Sequence, residues 1–202
     1  MRSTRTCVAP LAALVLFSLS CAVTRPAAPR TESGVPLAEQ TAPNDPAVEA
    51  VRARLVRYQA RTGLTDVEIA RLAHTVVVEA RRYHFDPILV LAVIHVESRF
   101  DTYAVSPKDA LGLMQLLPST GEALAPLVGV EWHGPQTLFD PVANVRLGVA
   151  YLRQLTDRYN GSVRTALVAY NWGPGRIDQF VRAGEALPRE YSTLVLAAYD
   201  RS

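Results

Sequence analysis

One segment limits the possible folds more than any other: an apolar helix that begins at Asp86-Pro87 and ends in a carboxylate. Asp86 is a typical N-cap, and proline suits the first helical position because its missing N–H would have no helical partner. The residues that follow are apolar on nearly every face, interrupted only by His95. A helix of this kind is buried on all sides, so the rest of the chain has to surround it. The sequence predicts a core built around this helix, with Glu97 at its end.

The remaining sequence also carries helix signals and almost no strand alternation. Thr65 and Glu68 form a capping box that opens a helix to about Tyr83. Asp140-Pro141 repeats the N-cap signal and opens a helix that ends near Asn160-Gly161. Apolar spacing predicts further helices at 48–58, 162–171, 174–183 and 190–200, and loops are marked by Gly112, Gly129, Gly134 and Pro135. We therefore expect an all-α, mainly helical single domain at 47–202.

The beginning of the chain has the composition of an export signal. An apolar stretch at 8–19 follows Arg2 and Arg5, and small residues come after it. This pattern is typical of a secretory signal peptide, so we expect residues 1–21 to direct export and to be removed. No later apolar run reaches the roughly 18 residues that a membrane-spanning helix needs.

Cys21 directly follows the apolar stretch, as the acylated cysteine of bacterial lipoproteins does. Ser18 replaces the leucine that usually stands three residues before such a cysteine, so simple cleavage after Ala22 is the alternative. Residues 22–46 carry five prolines among Ala, Thr and Glu and predict a flexible tether. We favour lipidation, because such a tether would hold a domain off a membrane. The expected protein is exported, periplasmic and anchored to the outer membrane.

Composition argues against several classes of partner and cofactor. Removal of Arg2 and Arg5 with the signal leaves 19 basic against 19 acidic residues, so the mature chain has no charge signature of nucleic-acid binding. Cys7 lies in the removed segment, so no disulfide is available within the mature domain. The histidines lack the spacing and the cysteine partners of zinc sites; they are His74, His84, His95 and His133. We expect a monomer without metal, cofactor or nucleic acid.

Glu97 is poorly placed for stability, which makes it a candidate for chemistry. Apolar surroundings and the negative end of the helix dipole both disfavour its charged form, so its pKa should rise. A carboxyl group that keeps its proton near neutral pH is what a general acid requires. A glutamate that reaches solvent, or that pairs with Arg99 or His95, is the alternative that this segment leaves open.

Short motifs follow one another after the apolar helix. They are ESRF at 97–100, AVSP at 104–107, ALGLMQ at 110–115, LP at 117–118, LFDP at 138–141, NVRLG at 144–148, YL at 151–152 and AYNWGPG at 169–175. In this order and spacing they resemble the catalytic domain of the bacterial soluble lytic transglycosylase family, over about residues 70–199. The resemblance implies a goose-type-lysozyme-like fold.

The resemblance also implies an activity. In the family, the glutamate of the Glu-Ser pair protonates the glycosidic oxygen between N-acetylmuramic acid and N-acetylglucosamine. It then acts as base on the C6 hydroxyl of the muramic residue, so that a 1,6-anhydro ring closes. Here that glutamate is Glu97. The implied substrate is the glycan strand of peptidoglycan, and no second carboxylate is needed, unlike in ordinary glycosidases.

Matching positions further imply substrate-binding residues. They are Ser98, Ser106, Gly112, Met114, Gln115, Tyr170, Asn171 and Tyr191. The serines would hold the glutamate or an acetamido group, the backbone at Gly112 would approach the sugar, Gln115 and Asn171 would hydrogen-bond it, and Tyr170 would pack on a ring. From residue type alone, a cap for Ser98 and core packing for Met114 compete with these roles. Tyr191 depends on register, because alignment on Pro188 would select Leu194 instead.

Two other functions stand beside the lyase. One is a muramidase, which would hydrolyse the same bond with water as goose-type lysozymes do. The other is a peptidoglycan-binding lipoprotein that keeps the groove without turnover, and the presence of Glu97 argues against it. The sequence discriminates poorly between the lyase and the hydrolase.

Overall fold

The structure is a computed structural model that describes residues 45–201, and this range contains helices but no strand. The helices are α1 (Pro46–Val56), α2 (Gln59–Thr62), α3 (Asp66–Arg82), α4 (Pro87–Ser98), α5 (Pro118–Val128), a 3-10 helix (Pro135–Phe139), α6 (Pro141–Arg158), α7 (Val163–Trp172), α8 (Pro174–Ala183) and α9 (Glu190–Asp200). The predicted all-α fold class is confirmed. The predicted signal peptide, Cys21 and nearly all of the tether lie outside the described residues.

Helix α4 lies in the middle of the core, as its apolar sequence predicts. The Asp86 carboxylate accepts a hydrogen bond from the backbone N–H of Ile88 at 2.8 Å, and Pro87 is the first helical residue. All side chains at 89–94 are buried. Helices α1, α3 and α9 pack against α4. No helix within 45–201 is both long and apolar enough to cross a membrane.

Helices α3 and α6 form a layer beside α4, and α5 and α7 pack on α6. The capping box is present at the start of α3, where the Thr65 N–H donates to the Glu68 carboxylate at 2.8 Å and the Glu68 N–H donates to the Thr65 hydroxyl at 3.4 Å. At α6, the Asp140 carboxylate caps the N–H of Ala143 at 2.7 Å. These local signals fix where both helices begin.

The start of α1 differs slightly from the sequence-based boundary. Pro46 was predicted to end the tether, but it is the first residue of the helix. Asp45 is the reason: its side chain accepts from the N–H of Ala47 at 2.9 Å and also forms a salt bridge with Arg81 of α3. This pair fastens the beginning of the helix to the core.

Helix α5 was not predicted, because Gly121 and Pro126 lie within it. Both residues are unfavourable in an isolated helix. At Gly121, a Cβ atom would lie 2.9 Å from the ring of Trp132, so the close packing of this helix favours glycine. The contact is tertiary and leaves no local signal.

Asn144 connects the loop between α4 and α5 to the rest of the domain. Its fully buried side chain donates to the carbonyls of Leu111 and Leu138, at 3.0 and 2.8 Å, and accepts from the N–H of Met114 at 2.8 Å. Gly112 lies against this amide with a φ of +74°. Because every bond of the Asn144 side chain goes to a backbone group, the loop has a fixed path.

We expect Gly112→Ala to destabilise the domain. A Cβ atom at this position would lie 2.2 Å from the Leu138 carbonyl oxygen and 2.5 Å from the Asn144 amide nitrogen, in a left-handed backbone conformation. The overlap and the strain together should lower the free energy of unfolding by about 3 kcal/mol, measured by urea denaturation.

Gly63→Ala is the matched control. Gly63 has a φ of +67°, but a Cβ atom there would meet nothing within 4 Å. Its free energy of unfolding should fall only by the cost of the left-handed conformation for alanine, about 1 to 2 kcal/mol. Equal losses in the two variants would mean that the contact with Asn144 and Leu138 does not matter.

Candidate active site

Glu97 lies in the last turn of α4, directly before a tight reversal of the chain. Arg99 and Phe100 both have left-handed backbone conformations, with φ of 53° and 67°. Such conformations are costly for residues other than glycine and persist where the surroundings hold them. Phe100 is held by burial and by a stack on Tyr58, with 4.2 Å between ring centroids. The reversal therefore ends α4 immediately after the glutamate.

Glu97 lines a groove of about 440 Å³. The walls come from the end of α4, the segment 106–120, helix α6 and the end of α7. Besides Glu97, the lining residues are Ser106, Pro107, Lys108, Ala110, Gln115, Leu116, Leu117, Thr120, Tyr151, Tyr170, Asn171, Trp172 and Gly173. Within the described chain, Glu97 is the only carboxylate in this lining. Residues 45–201 contain no group of His, Cys, Asp and Glu side chains that could hold a metal ion.

Tyr191, from a helix much later in the chain, holds the glutamate. The Tyr191 hydroxyl donates a hydrogen bond to Oε1 of Glu97 at 2.5 Å, and its ring is buried. Tyr191 lies in the first turn of α9, which packs along α4. Leu194, the residue selected by the other register, is 58% exposed. The geometry therefore selects Tyr191.

The alternative in which Glu97 pairs with a neighbouring cation does not occur. Among residues 45–201, no salt bridge reaches the Glu97 carboxylate. Arg99 is exposed, and the His95 ring packs at 5.9 Å from the rings of Tyr58 and Phe100. Within the described part of the chain, the Glu97 carboxylate is therefore held by a hydrogen bond from the Tyr191 hydroxyl and by no ion pair.

Burial raises the pKa of Glu97 from 4.5 to about 7, and the hydrogen bond from Tyr191 opposes part of this rise. Burial is the main reason that the pKa values of Tyr170 and Tyr191 lie well above 10, and the nearby charge of Glu97 raises them further. Both tyrosines therefore stay neutral at neutral pH, whereas Glu97 changes between its acid and base forms there. A carboxyl group of this kind can give a proton and later take one back.

Gln115 points its side chain along the groove from a strained loop position, with a φ of 48°. Its amide nitrogen donates to the carbonyls of Ala104 and Gly112, both at 3.0 Å. Since both amide hydrogens are used, the free function of Gln115 is its carbonyl oxygen, which accepts a hydrogen bond. Asn171 is exposed on the facing wall, and its amide is available as donor and acceptor.

Tyr170 and Ser106 line the groove, but their polar groups serve the fold. The Tyr170 hydroxyl donates to the carbonyl of Met114 at 2.8 Å, and only 9% of the residue is exposed. Its ring lies 5.3 Å from that of Tyr151. The Ser106 hydroxyl accepts from the N–H groups of Lys108 and Ala110, at 3.2 and 3.0 Å. Tyr170 therefore forms part of the groove wall, and its packing on a sugar ring stays a prediction.

Three residues predicted to touch substrate are placed elsewhere. The Ser98 hydroxyl donates to the Ile94 carbonyl of its own helix at 3.2 Å and is not part of the lining. Met114 is fully buried, with its side chain against Gly148. Gly112 is also buried, under Leu138. Neither Gly112 nor Met114 is part of the groove lining, and their contact with a sugar stays a prediction.

Sequence reasoning missed several residues that line the groove: Lys108, Thr120, Tyr151 and Trp172. One sequence feature does distinguish Tyr151: it is the only aromatic residue in α6. Trp172 directly follows Asn171, and its half-exposed ring is covered by the Arg176 guanidinium at 4.3 Å. Nothing local marks Lys108 or Thr120.

The chain is similar to known proteins over the region that contains this groove. Residues 75–192 match the sequence profile of the family described as "Transglycosylase SLT domain". The chain is 37% identical over 107 residues to the membrane-bound lytic murein transglycosylase C of Edwardsiella ictaluri, covering 48% of this chain and 30% of the relative. It is 40% identical over 108 residues to the protein of that name from Sodalis glossinidius, with the same shares. The chain thus spans about 30% of the length of these relatives.

Two solved structures are similar in fold. An inactive mutant of the lytic transglycosylase Slt from Pseudomonas aeruginosa has a TM-score of 0.57 and 28% identity, covering 76% of this chain and 28% of that one. The 70-kDa soluble lytic transglycosylase SLT70 from Escherichia coli has a TM-score of 0.53 and 21% identity. The match covers 76% of this chain and 29% of that one. The predicted likeness to this fold family is confirmed.

The burial of Glu97 predicts a pH-dependent cost to stability. The pKa is 4.5 without burial and about 7 in the folded state, so the folded protein binds more protons between these values. Stability contributed by the protonated form is complete below pH 4.5 and is lost as the pH rises through about 7. Glu97→Gln should therefore raise the free energy of unfolding at pH 8 by about 3 kcal/mol at most, and leave it unchanged at pH 4.

Denaturant titrations of both proteins at pH 4, 6 and 8 measure this difference. Glu122→Gln, an exposed change on α5, corrects for the loss of one negative charge. A constant difference between wild type and Glu97→Gln across this range would contradict a raised pKa in the folded state.

Proposed function

The chain belongs to the transglycosylase SLT domain family, and on this basis we propose that it is a peptidoglycan lytic transglycosylase in which Glu97 is the only acid and base. One observation carries the proposal: a single carboxylate with a pKa of about 7 lies in a groove that holds no second carboxylate among the described residues. The family match contains Glu97, the whole groove lining and Tyr191. The relatives are named lytic murein transglycosylases.

In the first step, the protonated Glu97 gives its proton to the glycosidic oxygen between N-acetylmuramic acid and N-acetylglucosamine. The bond from that oxygen to C1 of the muramic residue breaks, and N-acetylglucosamine leaves with a free hydroxyl. Positive charge develops on the muramic ring, next to the carboxylate that has just formed. The Tyr191 hydroxyl, 2.5 Å from Oε1, stabilises this carboxylate.

In the second step, the Glu97 carboxylate takes the proton of the muramic C6 hydroxyl. The C6 oxygen attacks C1, a 1,6-anhydro ring closes and Glu97 regains its proton. No water is consumed, because the substrate supplies its own nucleophile. This chemistry accounts for a groove with one carboxylate, whereas a typical glycosidase needs two.

The groove walls would position the glycan strand around Glu97. The rings of Tyr151 and Trp172 offer apolar surface to sugar rings, and the Gln115 carbonyl accepts from a hydroxyl or acetamido N–H. Asn171 would bind a second polar group on the opposite wall. A strand bound between these walls would displace water next to Glu97, which would favour ring closure over hydrolysis.

We further propose that the enzyme works on the outer side of a cytoplasmic membrane, as a monomer held to the outer membrane through a lipid on Cys21. The supporting observations are the signal-like pattern at 1–21 and the position of Cys21. The curated relatives are named as membrane-bound, which agrees with such an anchor. A short helical domain at the end of a proline-rich tether could then reach the glycan layer.

Glu97→Gln is expected to abolish cleavage while the fold and glycan binding persist. Glutamine keeps the shape and still accepts from Tyr191, but it has no proton to give. We expect a loss of roughly 100- to 10,000-fold in kcat on purified peptidoglycan sacculi. If the variant digests sacculi at the wild-type rate, Glu97 is not the acid.

Mass spectrometry of the wild-type products in the same assay separates the lyase from the muramidase. Anhydro-muropeptides are lighter than hydrolysis products by one water. In H2(18)O, only hydrolysis adds the heavy oxygen at the new end. Labelled, reducing products would replace the proposed lyase with a hydrolase and leave the role of Glu97 as acid intact.

The pH dependence of kcat/KM should report the acid form of Glu97. Activity is expected to fall as the pH rises through about 7, because the proton needed for the first step is lost. Tyr191→Phe removes the hydrogen bond that lowers the pKa of Glu97. In this variant, the fall in kcat/KM should therefore occur at a higher pH.

Tyr199→Phe is the matched control for Tyr191→Phe. It removes the same hydroxyl from the same helix, but that hydroxyl bonds to Asp86 at 2.9 Å, away from the groove. In Tyr199→Phe, kcat/KM should fall at the same pH as in the wild type. A shift of this pH that is equal in the two variants, or absent from both, would contradict the assigned role of Tyr191.

A further inference from the structure

Lys108 is the only lysine in the 202-residue chain, and it lines the groove that contains Glu97. Every other basic side chain apart from histidine is an arginine. Lys108 and Glu97 are the only residues of the lining, within the described chain, that carry a full charge in ordinary ionisation. A cation in this place needs an explanation that the chemistry at Glu97 does not supply.

The side chain of Lys108 is not used by the fold. The residue is exposed, and no salt bridge or side-chain hydrogen bond to it occurs among residues 45–201. Its backbone, in contrast, is fixed. The Lys108 N–H donates to the Ser106 hydroxyl at 3.2 Å, and the Asp109 N–H donates to the Ser106 carbonyl at 3.0 Å. The loop therefore presents an unpaired ammonium group from a defined position.

The charge balance of the groove favours an anionic ligand. Because burial holds the pKa of Glu97 at about 7, Glu97 is largely neutral below that pH, and Lys108 then carries the only charge in the lining of the described residues. Apolar walls weaken the screening of such a charge and strengthen its attraction for an anion. The neighbouring Asp109 is exposed, is not part of the lining and forms no salt bridge with Lys108 in the described structure.

The proposed substrate limits which anion this can be. N-acetylglucosamine is neutral, and the lactyl carboxyl of muramic acid loses its charge when it forms an amide with the peptide stem. The negative charges closest to the reacting bond then belong to the carboxylates of the stem. Lysine suits such a flexible target, because its ammonium group is a point charge without the fixed fork of arginine.

We propose that Lys108 binds a carboxylate of the peptide stem and makes the enzyme prefer glycan strands that carry peptides. This proposal rests on the proposed function, since it takes peptidoglycan as the substrate. It assigns Lys108 to substrate selection and leaves bond cleavage to Glu97.

The kinetic test compares sacculi with the same glycan after an amidase has removed the stems. Lys108→Met should raise KM for peptide-bearing strands by about two- to five-fold, the size of an exposed charge interaction, and leave kcat and the stripped glycan unaffected. Lys108→Arg should retain most of the preference, and Lys108→Glu should weaken binding further. The effect should shrink as salt rises.

Arg61→Met is the matched control, because it removes one exposed positive charge from α2, outside the groove lining. Arg61→Met should leave KM and kcat unchanged for both the peptide-bearing and the stripped glycan. Equal effects of Lys108→Met on peptide-bearing and stripped glycan, or no effect on either, would overturn the assignment to the stem. Activity of the wild type on both substrates would keep the proposed function intact in that event.

A second readout does not depend on turnover. An amine-selective acetylating reagent can modify only Lys108 and a free N-terminus, since the chain has no other lysine. In the Glu97→Gln variant, peptide-bearing glycan should slow acetylation of Lys108, and stripped glycan should protect it less. Equal protection by the two, or none by either, would contradict a contact between Lys108 and the stem.

Discussion

The hydrogen bond between Tyr191 and Glu97 is the interaction on which the site depends, because it joins the central helix to a helix 94 residues later in the chain. Helix α9 covers α4 and takes part in keeping water from the carboxyl group. Burial raises the pKa of Glu97, and the hydroxyl limits the rise to a value of about 7. Without the tyrosine, the pKa of Glu97 would rise further, so the carboxyl group would be a weaker acid in the first step. The balance between these two effects is what the proposed chemistry needs.

The loop that faces Glu97 is held by bonds to its backbone. Asn144 satisfies three backbone groups at once, and Gly112 allows the approach that these bonds require. Gln115 then sits in a left-handed conformation, as do Arg99 and Phe100 after the glutamate. Strain of this kind is stored where a structure must hold groups in fixed positions. The groove is thus preformed, and binding of a polymer need not order it.

Helices whose boundaries depend on neighbouring residues could be predicted from the sequence. The apolar sequence of α4 and the caps at Thr65 and Asp140 gave those helices within about one residue, because capping bonds reach only two or three residues along the chain. Helix α5 was missed, since the packing of Gly121 against Trp132 joins residues that no periodicity relates.

The candidate site shows the same division. The position of Glu97 at the end of an apolar helix was enough to predict its raised pKa. The resemblance supplied Tyr191, and the contact itself decided between it and Leu194. The roles of Met114 and Tyr170 could not be predicted from sequence, because burial against Gly148 or a bond to a distant carbonyl depends on how the helices pack. Groove residues such as Lys108 are defined by position in space alone.

The stability cost of Glu97 and the absence of a second carboxylate from the groove lining of residues 45–201 have one physical origin. Apolar walls raise the pKa of a single acid, and they would raise that of a second acid as well, so two carboxylates in this lining would repel each other or share one proton. A typical glycosidase has two carboxylates, one as acid and one as base or nucleophile. A groove with a single carboxylate in its described lining instead suits a substrate that brings its own hydroxyl. Under the proposed chemistry, the burial that destabilises the folded protein above pH 7 is the same burial that favours ring closure over attack by water.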